Sequence, residues 1–362
     1  MKKAVVFPYN KMIAGIFEKQ IFNAFEIVSY VSYPCIINNM LETFDVHIED
    51  DYKTAIEKGD IVIWTEYISY FDETELNISK VKKDIFEVIE FALERKKTVY
   101  CCEILSEIER KDFETKAQIL NCGFVYYTNG LNAIYENELK NKSIEEISIP
   151  TIFIEGATLD CCKFQLQLMI RRALQQEGVK ISQIGTKHYC ELFGFHSFPD
   201  FMYKYEIGEI QKINMFRAYL NDIIFSEKPD ILIIGIPHGF FNEKKIDNYG
   251  ILHYMVSCAI SCCVSFVSLP FFNYSKKFFD ELEKLLNYRY CQSVGAFLTS
   301  NIMRDILDYD EEMASSFCYL PNNLVDGEID SLGIDNLYTY SSLNSSKIMK
   351  IIKQVFDYET HR

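Results

Sequence analysis

The sequence has no run of about 18 apolar residues, the length needed to cross a bilayer. Its longest candidate, Met255 to Phe272, is interrupted by Ser257, Ser261, Ser265 and Ser268. The apolar stretch at the N-terminus stops at Pro8 and Asn10, too early for a secretory signal peptide. A cytoplasmic protein without a membrane partner is therefore expected. A long Lys/Arg block is also missing and the net charge is -15, which excludes a general nucleic-acid binder and favours basic or neutral partners. None of the 12 cysteines forms a Cys-x-x-Cys, so zinc and iron-sulfur spacings are absent. In a reducing compartment most of them read as small buried hydrophobes. Repeats, low-complexity tracts and heptads are lacking as well.

What is present is core-forming material. Of the 362 residues, 49% are hydrophobic and 15% aromatic, enough to fill two cores without disulfides or metal. In the first half, Ala4–Phe7, Ile27–Val31, Val46–Ile48, Ile61–Thr65 and Val99–Cys102 read as strands. Between them fit helices such as Lys82–Arg95, with Ile85, Val88, Ile89, Ala92 and Leu93 at helical spacing, and Phe113–Asn121. This alternation predicts an α/β fold whose N-terminal domain, 1–145, is a Rossmann-like parallel sheet. No Gly-x-Gly-x-x-Gly follows the first strand, so a dinucleotide has no evident cradle there. Polar residues 137–148 place the boundary, and 146–362 form the second α/β domain. Its expected strands are Thr151–Ile154, Lys180–Ile184, Asp230–Ile236, Cys263–Leu269 and Ala296–Thr299. The helices expected there are Phe164–Glu177, Ile207–Phe225, Ile251–Ile260, Lys276–Tyr290 and Ser345–Phe356.

The most informative stretch joins the apolar run 149–154 to Glu155-Gly156-Ala157-Thr158-Leu159-Asp160-Cys161-Cys162-Lys163 and then to a helix. A strand, a loop opened by glycine and closed by lysine, and a helix make the layout of a phosphate-binding unit. In such units backbone N–H groups and a helix N-terminus face the anion while the lysine neutralises its charge. The cofactor-binding candidates are Gly156, Thr158, Cys162, Lys163 and Phe164, and the ligand would be ATP or GTP with magnesium. The loop is degenerate. Cys162 stands where a second glycine belongs, Phe164 replaces the Ser or Thr that would hold magnesium, and Gly235 occupies the place of the usual acid after the later strand. Hydrolysis, simple anion binding and an inherited loop without ligand all remain open, and in the last case Lys163 is a solvated lysine at a helix start.

Two further loops leave neighbouring strands. The first, Gly185 to Asp200, carries His188, Cys190, His196 and Asp200, while the second, Gly235 to Asn242, carries His238. In a parallel sheet both open on the edge that holds Lys163. Asp200 is a candidate magnesium ligand or base and His238 an acid/base or phosphate contact, while Cys190 with a nearby His such as His196 reads as a nucleophile and base, and His188, Cys190 and His196 as metal ligands. The plain alternatives are aromatic packing and turn capping; no metal site is assigned. His253 and Cys258, on an apolar helix, read as core residues.

The stretches Lys180–Thr186, Tyr189–Met202 (Tyr-Cys-Glu-Leu-Phe-Gly-Phe-His-Ser-Phe-Pro-Asp-Phe-Met) and Pro229–Pro237, with the opening Met1–Tyr9, resemble the peptide maturation system proteins of Cys-rich (Clo7bot-type) ribosomal peptide clusters. The resemblance implies an accessory role in maturing a Cys-rich precursor peptide, beside a radical SAM maturase and an acyl-carrier-related protein. The C-terminal half is more distantly similar to dethiobiotin-synthetase-like P-loop NTPases, with which it shares a lysine seven positions after the opening glycine, Gly156 to Lys163. That likeness implies a P-loop-NTPase-like parallel sheet. It leaves open an ATP- or GTP-dependent transferase or ligase using Lys163 for phosphate and Asp200 for magnesium.

Overall fold

Short β-branched and aromatic runs, too apolar to face water on either side, form parallel strands sandwiched between helices. The computed structural model describes residues 1–9, 16–17, 24–33, 48–66, 78–128, 131–142, 146–158, 161–240, 249–304 and 317–359. Among these the chain divides into two compact units, Met1–Thr128 with Leu192–Gly194, and Asn129–Glu191 with Phe195–Arg362.

The first unit contains β1 (Lys3–Phe7), β2 (Glu26–Val31), β3 (Ile48–Glu49), β4 (Ile61–Trp64), β5 (Thr98–Cys101) and β6 (Phe124–Tyr126), all parallel in the order 3-2-1-4-5-6. This is the Rossmann strand order. Of the expected strand Val46–Ile48, only Ile48 is among the described residues. The helices are α1 (Tyr52–Lys58), α2 (Ile78–Glu94) and α3 (Glu107–Leu120). Ser106 and Glu109 start α3 with a capping box, and Asn121 ends it in the left-handed conformation. Trp64, Phe86 and Phe113 meet edge to face at 5.0–5.6 Å within the core.

The second unit begins earlier than residue 146. Helix α4 (Ala133–Asn141) belongs to it, because Leu139 joins its core and the Tyr135 hydroxyl donates to Asp222 at 2.6 Å. Among the described residues of 137–148 only Leu139 is buried, too little to show in the pattern, and the compact unit starts at Asn129. The strands are β7 (Thr151–Gly156), β8 (Ile181–Gly185), β9 (His196–Ser197), β10 (Ile231–Gly235), β11 (Val264–Phe271), β12 (Val294–Arg304), β13 (Phe317–Tyr319) and β14 (Leu337–Thr339). They lie in the order 13-12-11-7-10-8-9, with β14 also paired to β12, and only β13 runs antiparallel. Helices α5 (Lys163–Gln176), α6 (Glu209–Glu227), α7 (Tyr249–Ala259), α8 (Lys276–Tyr290), α9 (Asn322–Ser331) and α10 (Ser345–Glu359) complete it.

All six residues of β7 are buried, and alternation sends Phe153 to a core with Phe216, Leu232 and Val256 and sends Ile152 and Ile154 to another with Leu166, Ile170 and Ile348. From β7 the chain goes to one side of the sheet for β8 and β10, then crosses to the other for β11. The carboxyl end of β7 therefore lies at the switch point, where open α/β sheets leave a crevice. Among the described residues no helix is long and apolar enough to cross a membrane.

Candidate functional site

Three strands end in glycine at this edge of the sheet: β7 at Gly156, β8 at Gly185 and β10 at Gly235. A Cβ at Gly156 would lie 2.4 Å from Cys161 Sγ and 2.5 Å from Lys163 Cδ, so the loop folds back over its own first residue. At Gly235 a Cβ would meet the Gln167 side chain at 2.4 Å, and at Gly185 it would come within 3.0 Å of Gln167 Oε1. The fully buried Gln167 of α5 fills the space at Gly235, while at Gly185 Cys190 Sγ and the Phe195 ring lie closer, both at 2.5 Å; its amide bonds Thr186 Oγ1 at 3.1 Å and the Thr186 backbone N–H at 3.3 Å. No carboxylate fits beside Gly235 while Gln167 occupies this place.

Cys162, the last residue before α5, has φ 59° and ψ 22° and gives the helix no side-chain cap. It thus adopts the left-handed backbone that glycine takes freely, at the position where a phosphate loop carries glycine. Helices α1, α3, α4 and α8 are capped by Asp51, Ser106, Asn132 and Ser275, whereas α6 and α9, like α5, start without a side-chain cap. Lys163 follows directly, only 5% exposed. A buried ammonium is costly without partners. Its Nζ donates to the Thr158 carbonyl at 2.9 Å and to the His238 carbonyl. The lysine therefore ties the loop after β7 to the loop after β10, an interlock also made by Phe240 N–H to Gly156 O at 3.1 Å. His238 itself has φ 62°. Gly239 is needed because a Cβ there would lie 2.4 Å from the Ala157 carbonyl oxygen.

Phe164, where a hydroxyl would serve magnesium, is 4% exposed and packs against Tyr189 at 5.8 Å and Phe195 at 6.1 Å. Burying that ring contributes about 1.5–3 kcal/mol. Leu159 and Asp160 lie outside the described residues. The structure brings Gly156, Thr158, Cys162, Lys163 and His238 together. Tyr203, which follows the short 3-10 turn Asp200–Met202, places its ring edge-on to His238 at 5.7 Å, so the Asp200 turn borders the same loops.

Cys190 and His196 have separate partners, although Cys190 Sγ lies at the end of β8, 2.5 Å from where a Cβ on Gly185 would stand. The buried Cys190 thiol donates to the Lys187 carbonyl at 2.9 Å, and burial pushes its pKa well up, which favours the neutral thiol. His196 is hydrogen-bonded through Nε2 to Glu227 at 2.6 Å. Among the described residues no group of three or more His, Cys, Asp or Glu side chains is arranged around a metal position.

Sequence reasoning missed a buried pair under the loop. Glu155, 1% exposed, has neither carboxyl oxygen hydrogen-bonded among the described residues. Burial raises its pKa well above the carboxylate range. His253 Nε2 lies 3.2 Å from Glu155 Oε2 without hydrogen-bond alignment, and 2.9 Å from the Gln292 amide nitrogen. Its ring stacks on Tyr290 at 3.9 Å. Burial, with Arg289 and Lys163 adding smaller repulsions, lowers the His253 pKa to about 3, so its imidazole is neutral at pH 7, while burial favours the protonated form of Glu155. A glutamate next to the opening glycine was the available signal; its partner lies about a hundred residues away.

No protein-family model matches this chain, and neither does any curated protein. Its fold is similar to the crystal structure of a DUF1611 family protein from Anabaena variabilis ATCC 29413, with a TM-score of 0.59 at 10% identity over 98% of this chain and 100% of that one, a likeness of fold.

Proposed function

We propose that the second unit binds a phosphate-bearing ligand, a nucleotide in the first instance, at the loop from Gly156 to Lys163. The protein would use this site as an accessory factor in maturing a Cys-rich peptide, binding the precursor or its partner enzymes with little or no hydrolysis. One observation carries the phosphate reading: Cys162 holds a glycine-like left-handed backbone directly before Lys163, at a helix start without a side-chain cap and at the switch point of the sheet. The residues fit a phosphate better than magnesium. Phe164 supplies no hydroxyl, Gln167 fills the place beside Gly235, and Asp200 is the remaining carboxylate candidate. A P-loop ancestry with hydrolysis lost accounts for this combination. The peptide role rests on the sequence resemblance.

The competing reading is a transferase or ligase that turns over ATP or GTP with Lys163 and Asp200. Incubating the protein with ATP or GTP, magnesium and a Cys-rich precursor peptide separates the two. The accessory reading predicts co-elution of peptide and protein with no phosphate release above the blank. Phosphate release lost in both Lys163→Ala and Asp200→Asn would replace it with the enzyme.

A further inference from the structure

The loop is held at both ends by residues far away in the chain. Ser268, at the carboxyl half of β11, pairs with Gly156 across the sheet, and its carbonyl accepts from Ala157 N–H at 2.9 Å. Its hydroxyl donates to the Cys161 carbonyl. Tyr340 stands in the turn between β14 and α10, which Thr339 and Ser342 lock through Thr339 N–H to Ser342 Oγ at 3.0 Å and Ser342 N–H to Thr339 Oγ1 at 3.2 Å. The Tyr340 hydroxyl lies 2.9 Å from the Cys162 carbonyl, 3.2 Å from that of Cys161 and 2.7 Å from Ser268 Oγ. Burial of that hydroxyl raises its pKa well above the usual phenol value, so it stays a hydrogen-bond donor. In a trans peptide the C=O and the following N–H point in opposite directions. Drawing the carbonyls of Cys161 and Cys162 towards Tyr340 and Ser268 therefore turns the N–H groups of Cys162 and Lys163 the other way.

We infer that Tyr340, assisted by Ser268, is a positioning residue that orients the peptide planes of Cys161 and Cys162 so that the following N–H groups receive a phosphate. This rests on the phosphate reading of the loop and adds the residues that would give the loop its shape. Tyr340 is the second partner of the Cys162 carbonyl, which also accepts the Leu166 N–H of α5 at 3.2 Å, so two bonds hold the peptide plane that follows this left-handed residue.

The test titrates inorganic pyrophosphate, ATP and adenosine into the wild type and Tyr340→Phe, with unfolding midpoints and circular dichroism measured on the same samples. A second readout follows the amide nitrogen-15 shifts of Cys162 and Lys163 during the pyrophosphate titration. The expected result is about tenfold weaker binding of pyrophosphate and ATP in the variant, the effect of losing one buried hydrogen bond. Adenosine binding should not change, and the amide shifts should shrink. Equal pyrophosphate affinity and equal amide shifts in both proteins, with only the midpoint lowered, would make Tyr340 a structural anchor and overturn the inference. Should Tyr340→Phe fail to fold, Ser268→Ala is read by the same criteria. A folded wild type that binds neither pyrophosphate nor ATP removes the phosphate reading itself, and this inference with it.

Discussion

Replacing Gly239 by alanine should force apart the two loops that Lys163 joins. The new Cβ would lie 2.4 Å from the Ala157 carbonyl oxygen, 2.6 Å from Thr158 Cα and 2.7 Å from the Ala157 carbonyl carbon. All three are backbone atoms of the neighbouring loop, so no side-chain rotation relieves the contact. Carbon atoms rest about 3.5–4 Å apart, so the loops must separate by about 1 Å. Overpacking of this kind costs about 1–3 kcal/mol. Separation also stretches the Phe240 N–H to Gly156 O bond, worth about 0.5–1.5 kcal/mol. The expected destabilisation is thus about 2–4 kcal/mol, read as a lower urea midpoint by circular dichroism. Gly327→Ala in α9 is the control. Its Cβ would meet nothing within 4 Å, and the exchange in a helix should stabilise by about 0.5–1 kcal/mol. A Gly239→Ala midpoint equal to that of the wild type would refute the interlocked loops.

The buried pair predicts two opposite pH dependences. Glu155 has a raised folded pKa, so its effect on stability is lost as pH climbs above 4.5, and Glu155→Gln should exceed the wild type in stability at pH 8 while matching it near pH 4. His253 has a depressed one, so stability falls as pH drops from 6.5 towards about 3, and His253→Gln should flatten that limb of the urea-midpoint profile. Unchanged profiles in both variants would mean that neither group is buried as described. Iodoacetamide with mass mapping at pH 7.5 should alkylate the exposed Cys291 well before the buried Cys190, whose raised pKa keeps it a thiol. Earlier labelling at Cys190 would restore it as a nucleophile.

The layout of β7, loop and α5 was legible because it is local: the β-branched run, Gly156 and Lys163 lie within 13 residues, and the expected helix Phe164–Glu177 differs by one residue at each end from Lys163–Gln176. Continuous apolar runs likewise signalled the parallel sheets. The short elements α1, β6, β13, α9 and β14 escaped, since they carry too few residues for a period to show. Long-range pairings escaped too. Nothing near Cys162 indicates that its carbonyl is taken by Tyr340, and nothing near Gln167 indicates that its amide fills the room left by Gly235, 68 residues on. Lys163 was read either as a phosphate ligand or as solvated, and neither reading anticipated a lysine bridging two carbonyls.

Calorimetric titration of ATP and GTP into the wild type and Lys163→Ala, with folding verified by circular dichroism, shows whether the loop holds a phosphate. Saturable binding by the wild type, lost in the variant, is the expected result, because the ammonium now resting on the Thr158 and His238 carbonyls is the group that would meet the phosphate. A folded wild type giving no heat with either nucleotide, or binding that survives Lys163→Ala unchanged, would contradict it and leave Lys163 as the clasp between two loops.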